Sequence, residues 1–186
     1  MRKIILCLAV SFDGYIEGPN KEIDWLSFTG ETGKTLHEFL DSIDTVLYGR
    51  TSYELWGTYS PNEDSAEFEK HFYDRLNKMT KYVFSSTKNT FDGNPVIVQS
   101  GIENKMQQLK QQPGKDIWLY GGSKLITTFM NLELVDEFKL AVYPVILGAG
   151  TPLFNNIDHR VNLHLKEVKA GEGGVMEITY ETKRKK

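Results

Sequence analysis

The sequence predicts an α/β fold with a mostly parallel central sheet covered by helices on both faces. About eight short runs rich in β-branched and apolar residues recur along the 186-residue chain, and stretches with helical spacing lie between the early ones. Such alternation of strand and helix is typical of a parallel sheet that is buried on both sides. The expected architecture therefore has three layers, with the sheet in the middle.

The predicted strands follow one another in a regular order, separated by turn signals or helical segments. Their bounds are 3–10, 44–48, 81–85, 95–99, 116–120, 136–147, 161–168 and 175–181. Helical spacing of apolar residues marks 36–43, 68–76 and 125–130. After about residue 134 this spacing stops, and the short polar segment 172–174 is typical of a hairpin turn. We therefore expect short connectors between the last three strands, and antiparallel strands at the end of the sheet.

The composition is that of one compact domain. Hydrophobic residues make up 40% of the chain, enough for a sizeable core, and no linker or repeat divides it. We expect a single domain over 1–182, followed by a basic, solubilising tail at 183–186. The net charge of -3 offers nucleic acid no general attraction, so we expect no nucleic-acid partner.

The cysteine and the N-terminal apolar run indicate the cellular compartment of the protein. Cys7 is the only cysteine of the sequence and lies within the apolar run 4–10, where it suits a small buried hydrophobe in a reducing compartment. That run is too short to cross a bilayer and lacks the cleavage pattern of a signal peptide. We expect a cytoplasmic protein that has no membrane partner.

Three strand ends share a pattern that suits phosphate: a strand stops, small or hydroxylated residues follow, and a helix or loop begins. In the first, Gly49 lets a ligand approach the backbone, and Arg50 offers a fork of donors for phosphate oxygens. Thr51 or Ser52 would cap the next helix. The alternative is an ordinary capped turn with Arg50 paired to a surface carboxylate.

The second strand end carries hydroxyl groups and an ammonium group. Ser85, Ser86, Thr87 and Lys88 follow an apolar strand and suit a ribose phosphate through charge-assisted hydrogen bonds. Serine and threonine after a strand also form ordinary turns, and these residues alone leave that alternative open.

The third strand end contains two adjacent glycines. Tyr120 closes a buried strand, Gly121 and Gly122 follow, and Ser123 and Lys124 open a helix. Backbone N–H groups exposed at the positive end of a helix dipole suit a dinucleotide pyrophosphate. The Gly-x-Gly-x-x-Gly fingerprint is missing, so the sequence does not predict a Rossmann domain.

Other chemistries find little support in the sequence. Gly33, Lys34 and Thr35 are similar to the end of a nucleoside triphosphate loop, but the first glycine of that motif is missing. The four histidines lack metal-ligand spacing and one cysteine cannot build a zinc site, so we expect no metal. No Gly-x-Ser-x-Gly elbow marks a nucleophilic serine.

The order of these segments resembles the dihydrofolate reductase-like superfamily. The likeness rests on its first strand with the nicotinamide-side loop, its Gly-Arg-x-Thr/Ser cofactor turn, its adenosine 2′-phosphate segment and its diglycine turn, which correspond to 8–16, 46–52, 84–86 and 120–123. The resemblance covers residues 3 to about 130 and implies the three-layer fold of that superfamily.

The last third of the chain resembles one particular family within this superfamily. Asp136 and Glu137 lead into 143–154, which is similar to the Asp-Glu … Pro-x-x-Leu-Gly-x-Gly-x-Pro-Leu-Phe pattern in the C-terminal reductase domain of the bacterial bifunctional riboflavin deaminase–reductase. On the residues alone, the segment is a strand followed by a Gly/Pro-rich loop. The resemblance implies a free-standing reductase of that family.

This resemblance implies hydride transfer from NADPH to a small heterocyclic substrate, most like 5-amino-6-(5-phosphoribosylamino)uracil. The implied cofactor contacts are Ala9, Ile16, Gly49, Arg50, Thr51, Ser52, Ser85, Ser86, Thr87, Tyr120, Gly121, Gly122, Ser123 and Lys124. Asp13 is the implied catalytic residue, orienting substrate or relaying a proton, although an aspartate before glycine is also a common turn former. The implied substrate contacts are Asp13, Trp25 and Glu38.

One departure separates the chain from dihydrofolate reductases. Those enzymes hold the pterin ring with a carboxylate on the first helix, and by spacing it falls where this chain has Thr35, Leu36 and His37. Dihydrofolate is therefore not the expected substrate. A pterin or flavin reductase of the same fold and a nucleotide-binding module without turnover remain as alternatives.

The resemblance also implies a homodimer. The apolar segment from Phe138 to Leu147 is long for an exposed sheet edge. We therefore expect the interface in or near this strand, with Val142 facing outward.

Overall fold

The computed structural model describes residues 1–27 and 30–183, and within them ten strands and five α-helices. The strands are β1 Ile4–Ser11, β2 Tyr15–Glu17, β3 Ile43–Gly49, β4 Thr80–Phe84, β5 Val96–Val98, β6 Asp116–Gly121, β7 Glu137–Tyr143, β8 Thr151–Pro152, β9 Leu163–Ala170 and β10 Met176–Thr182. The helices are α1 Gly30–Asp41, α2 Arg50–Trp56, α3 Glu67–Asn77, α4 Ile102–Gln111 and α5 Ser123–Asn131.

Eight of these strands form one sheet in the order β5-β4-β3-β6-β1-β7-β10-β9. The pairs from β5 to β7 are parallel, whereas β10 is antiparallel to both β7 and β9. This confirms the predicted mostly parallel sheet with antiparallel strands at its C-terminal end. A small sheet of β2 and β8 was not predicted, because strands of three and two residues are too short to show a pattern.

The core lies on both faces of the sheet because the buried strands place alternate residues on opposite sides. Along β1, Ile4 and Leu6 belong to the cluster under α4 and α5, whereas Ile5 belongs to the cluster under α1, α2 and α3. Leu6 packs in the same cluster as Phe129 of α5. The helices therefore cover both faces, as the alternation of strand and helix predicted.

The structure corrects the expectation about β7. This strand ends at Tyr143 rather than at residue 147, because Pro144 has no N–H group to continue the ladder. It lies between β1 and β10 rather than at an edge, and Val142 packs against the core instead of facing outward. The edges of the sheet are β5 and β9.

The connectors at the C-terminal end also differ in part from the expectation. Residues 172–174 form the short turn between β9 and β10, but β7 and β9 are joined by the long segment 144–162, which contains β8. Of the expected basic tail, 184–186 lie outside the described residues. The Lys183 N–H donates to the Asn162 carbonyl oxygen at 3.0 Å.

Tyr48 provides a prediction about stability. Its side chain is fully buried, and its hydroxyl has no hydrogen-bond partner among the described residues. Because an unsatisfied buried polar group costs about 1–3 kcal/mol, we expect Tyr48→Phe to raise the free energy of unfolding by about 1 kcal/mol in denaturant titrations. Tyr53→Phe is the matched control, since the Tyr53 hydroxyl donates to the Asp92 carbonyl oxygen at 2.7 Å. A Tyr48→Phe protein less stable than the wild type would contradict this account.

Candidate functional site

A large cleft begins at the carboxyl ends of the parallel strands and extends over the sheet to Asp116 and Glu137, at the amino ends of β6 and β7. Its volume is about 1490 Å³, and its lining includes residues from all three strand ends that the sequence singled out. Ligands of open α/β sheets bind in this position, outside the carboxyl ends of the strands. The cleft is therefore the candidate site.

The first and third strand ends meet because β3 and β6 are neighbours. Tyr48 and Gly121 are register partners. A Cβ atom at Gly49 would lie 3.5 Å from both the Gly121 carbonyl oxygen and the Gly122 nitrogen, and one at Gly122 would lie 3.2 Å from Ser52 Oγ. The contact at Gly49 would be an ordinary van der Waals contact, whereas the contact at Gly122 would be tight, so the two turns pass close to each other.

The diglycine turn delivers the start of α5 to the cleft. Gly121 has φ +111°, a conformation that favours glycine, and its peptide bond to Gly122 is cis. Gly122 is the N-terminal cap of α5, whose first N–H groups point away from the helix. Gly122, Ser123 and Lys124 line the cleft, as does Tyr120, whereas the buried Gly121 does not. The Ser123 hydroxyl donates to the Pro152 carbonyl oxygen at 3.0 Å.

The turn after β3 differs from the expected capped turn. Helix α2 already begins at Arg50, and its cap is Gly49 without a side-chain hydrogen bond, so neither Thr51 nor Ser52 is the cap. Both lie in the first turn and line the cleft together with Gly49 and Arg50. No described carboxylate forms a salt bridge with the exposed Arg50. The charge of Arg50 nevertheless contributes to the lowered pKa of Glu54, so the alternative of a surface arginine beside a carboxylate stays open.

In the turn after β4, some polar groups form hydrogen bonds within the turn and others line the cleft. Ser85 is buried, and its Oγ accepts a hydrogen bond from the Lys88 N–H at 3.0 Å. Ser86 and Thr87 are exposed and line the cleft beside Ser85. Lys88 points elsewhere: its ammonium lies 2.8 Å from the Glu54 carboxylate and 4.7 Å from the centre of the Phe91 ring. That hydrogen bond lowers the pKa of Glu54.

Ala9 and Ile16 line the cleft at the end expected for the nicotinamide. Asp13 and Trp25 do not appear in the lining. The Trp25 ring packs edge-on against Tyr143, with centroids 5.4 Å apart. Glu38 lines the cleft and is exposed, 3.9 Å from Lys34.

Asp13 has a structural role within the chain. Its carboxylate accepts hydrogen bonds from Ser11 Oγ at 2.7 Å, the Gly148 N–H at 2.8 Å and the Leu147 N–H at 3.1 Å. These bonds, the one from Ser11 above all, lower the pKa of Asp13. An ionised carboxylate has no proton to give, so Asp13 holds the loop after β7 and is not suited to be a proton donor at neutral pH.

Sequence reasoning missed Glu177, which also lines the cleft. Its Oε2 accepts a hydrogen bond at 3.1 Å from the hydroxyl of Thr35, so the pair joins β10 to α1 across the cleft. The alternation in the last strand places residues 177 and 179 on one face. Only the register of β10 with β7 shows that this face lies in the cleft.

The two ends of the cleft differ in charge. The end built by α2, the turn after β4 and α5 has two described lining cations, Arg50 and Lys124, and no described carboxylate. The lining residues that α1 and strands β7, β9 and β10 contribute include four carboxylates, Glu38, Glu137, Glu167 and Glu177, and two ammonium groups, Lys139 and Lys169. Two lysines outside the lining, Lys3 and Lys166, also pair with Glu137 and offset part of this negative charge.

Two further findings concern the described parts of the chain. No group of three or more histidine, cysteine, aspartate or glutamate side chains there is arranged to hold a metal ion. None of the helices within 1–27 and 30–183 has the length and apolar character that a membrane crossing requires.

Comparisons of sequence give one family. The model of the RibD C-terminal domain family matches residues 2–176. The uncharacterised protein YyaP of Bacillus subtilis (strain 168) is 47% identical over 179 residues, which cover 96% of this chain and 94% of that protein.

Comparisons of structure give one fold. A putative riboflavin biosynthesis protein from Shewanella sp. PV-4 matches with a TM-score of 0.77 and 19% identity, over 99% of this chain and 100% of that chain. Dihydrofolate reductase from Enterococcus faecalis, complexed with NADP(H) and RAB-propyl, matches with a TM-score of 0.61 and 15% identity, over 98% and 97% of the two chains. The predicted dihydrofolate reductase-like architecture is confirmed.

Proposed function

The chain belongs to the RibD C-terminal domain family, and from that membership we propose that it is an NADPH-dependent reductase of a small heterocyclic substrate. NADPH, when bound, supplies the hydride. The chain contributes binding and orientation: it must hold the donor and acceptor carbons within about 3–3.5 Å of each other.

The observation that carries this proposal is the meeting of three phosphate-suited strand ends in one cleft. The space that a Cβ atom at Gly122 would fill leaves room for the pyrophosphate at the start of α5. Arg50, Ser86 and Thr87 supply the donors for the 2′-phosphate, with no carboxylate among the described lining residues at that end. Ala9 and Ile16 would lie under the nicotinamide.

The acceptor would lie beyond the nicotinamide, between α1 and the antiparallel end of the sheet. Its candidates are the ribosylamino-pyrimidine phosphate of riboflavin biosynthesis, a pterin and a flavin. Asp13 would act as a positioning residue, because it holds residues 147 and 148 of the loop after β7.

Loss of NADPH absorbance in the presence of each candidate acceptor tests the proposal, beside a titration of cofactor binding. We expect oxidation of NADPH with one class of acceptor. Tight binding without turnover of any acceptor would favour the alternative, a nucleotide-binding module that lacks catalysis. No binding at all would overturn both.

We also propose a homodimer, with its interface at the edge strand β9. All eight residues of β9 are exposed, and Leu163, Leu165 and Val168 are apolar and 37%, 48% and 48% exposed. An unpaired edge with apolar side chains is a template for pairing with a second copy. The cytoplasmic location also stays a proposal. Cys7, which the sequence suggested to be buried, is only partly buried and lines the cleft. Desolvation raises the pKa of its thiol to about 12, which suits a cysteine that stays reduced.

Light scattering tests the dimer. The chain has a mass of 21.3 kDa, and we expect about twice that mass at micromolar concentration. Leu165→Lys on β9 should shift the mass toward the monomer, because a charge in the interface loses its hydration, while cofactor binding continues. Val96→Lys on β5, at the opposite edge of the sheet and also exposed, is the control. A wild-type mass near that of one chain across the dilution range would contradict the dimer.

A further inference from the structure

We propose that a branch of the cleft between α1 and α3 binds a flat, uncharged ligand through a carbonyl oxygen, which accepts hydrogen bonds from the hydroxyls of Tyr73 and Tyr120. We call this branch the aromatic pocket, and its walls are Phe39, Phe72, Tyr73, Trp118 and Tyr120. The inference goes beyond the proposed function, because it concerns a separate wall of the cleft and does not require NADPH to bind.

The aromatic pocket is built around Trp118 of β6. The Trp118 ring lies edge-on to Phe39 of α1 at 5.4 Å and to Phe72 of α3 at 6.3 Å between centroids. Its centroid is 4.9 Å from that of Tyr120, which the alternation along β6 places on the same face. Tyr73 follows Phe72 on α3, with 5.1 Å between their centroids. Aromatic surface from two helices and the sheet therefore surrounds the space, which suits a flat apolar ring.

Two phenol hydroxyls in this pocket have no hydrogen-bond partner among the described residues. Tyr73 is only 8% exposed and Tyr120 is partly buried, yet both line the cleft. Burial raises the pKa of Tyr120 and the Tyr73 phenol adds to this rise, so the two hydroxyls lie near each other. Because buried polar groups are normally hydrogen-bonded, this pair indicates a ligand that supplies the missing acceptor.

Other phenols of the chain are satisfied or do not reach the cleft. Tyr143 is the third tyrosine among the described lining residues, and its hydroxyl donates to the Ser27 carbonyl oxygen at 2.6 Å. The Tyr48 hydroxyl also has no partner among the described residues, but Tyr48 is fully buried and does not line the cleft. Access to the cleft together with an unpartnered hydroxyl therefore distinguishes Tyr73 and Tyr120 among the described lining tyrosines.

The ligand that fits this pocket carries no charge. Burial raises the pKa of both Tyr73 and Tyr120, so the two hydroxyls stay protonated at neutral pH and act as donors. The described lining residues of α1, α3 and β6 include no lysine or arginine, and their charged members are Glu38, Glu69 and Asp116. Lys139 of the more distant β7 lies 3.6 Å from Glu137. An anion in the aromatic pocket would thus lose its hydration without gaining a cation from these walls.

A carbonyl oxygen is the acceptor that matches two neighbouring donors, because it has two lone pairs and can accept from both phenols at once. The rest of the ligand packs against aromatic rings and needs no polar group of its own. The class of ligand is therefore an aromatic ketone or a quinone.

Equilibrium dialysis with three probes of matched shape tests this inference: duroquinone, its hydrocarbon durene, and tetramethylbenzoate. Duroquinone is fully substituted, so the Cys7 thiol in the cleft cannot add to its ring. We expect duroquinone to bind at least ~5-fold more tightly than either of the other probes, because only it offers an uncharged carbonyl oxygen to the two phenols.

Tyr73→Phe and Tyr120→Phe should each weaken duroquinone about 2- to 10-fold, the effect of one hydrogen bond between neutral groups. Neither variant should change the binding of durene, because the ring that packs against it remains. Tyr59→Phe is the matched control: the Tyr59 ring lies 4.5 Å from Tyr73, but its hydroxyl donates to Glu69 at 2.9 Å and it is absent from the cleft lining. We expect no change in duroquinone binding for this variant.

Three outcomes would overturn the inference: wild-type affinity for duroquinone in both Tyr73→Phe and Tyr120→Phe, equal weakening of duroquinone and durene, or tighter binding of tetramethylbenzoate than of duroquinone. Failure of the wild type to bind duroquinone would overturn it as well. The titrations contain no NADPH, so their result is independent of whether the proposed reductase function holds.

Discussion

Replacing Gly122 by valine is expected to abolish NADPH binding in a chain that still folds. The new Cβ atom would lie 3.2 Å from Ser52 Oγ, a cleft-lining side chain, so the added methyl groups occupy the approach to the start of α5. Gly122 has φ -83°, which any residue can adopt. Losing two charge-assisted hydrogen bonds of about 1.5 kcal/mol each weakens binding more than about 100-fold. Calorimetric titration with NADPH measures the loss, and circular dichroism measures the fold.

Gly122→Ala separates the steric effect from a folding defect, because the single methyl group of alanine disturbs Ser52 less than the isopropyl group of valine. We expect an intermediate loss of affinity. Gly121 is a poorer test, since its φ of +111° strains any substitution. If the folded Gly122→Val variant bound NADPH as tightly as the wild type, the diglycine segment would be an ordinary turn without a role in cofactor binding.

Replacing Arg50 by alanine is expected to weaken NADPH about 10- to 100-fold and to leave NADH nearly unchanged. Arg50 is exposed at the start of α2, lines the cleft and forms no salt bridge with a described carboxylate, since the nearby Glu54 is paired with Lys88. A hydrogen bond between charged groups contributes about 1.5–3 kcal/mol, and only NADPH carries the 2′-phosphate. The measurement is therefore the ratio of the dissociation constants for NADPH and NADH. Effects of the substitution that weaken both cofactors equally cancel in this ratio.

Lys88→Ala serves as the comparison for Arg50→Ala. The sequence suggested Lys88 as a further phosphate ligand, but its ammonium is held by Glu54 at 2.8 Å, outside the cleft lining. We expect this variant to change the ratio for the two cofactors less than threefold. If Lys88→Ala weakened NADPH binding more than Arg50→Ala does, the 2′-phosphate site would not lie at α2 as proposed.

The three strand ends that the sequence singled out line one cleft, and they could be found in the sequence because their determinants are local. A glycine, an arginine or a diglycine directly after a strand has its chemical meaning within a few residues. Parallel strands then bring their carboxyl ends to one edge of the sheet, so Gly49, Ser86 and Gly122 line a common cleft.

The end of the cleft where we propose the acceptor could not be predicted in the same way, because it depends on contacts between distant segments. Glu177 enters the cleft through the register of β10 with β7, and its partner Thr35 lies 142 positions away in the sequence. Asp13 bonds to Leu147 and Gly148 rather than lining the cleft, which no local pattern indicates. The position of β7 inside the sheet depends on β10, which follows it by more than thirty residues.

The central claim is that this cleft binds a phosphorylated nicotinamide dinucleotide. Calorimetric titration of NADPH into the purified chain tests it most directly. We predict saturable binding of one NADPH per chain, with NADH binding at least ~10-fold more weakly because it lacks the 2′-phosphate that we propose Arg50 to bind. The absence of saturable binding by NADPH at concentrations up to the millimolar range would contradict the account.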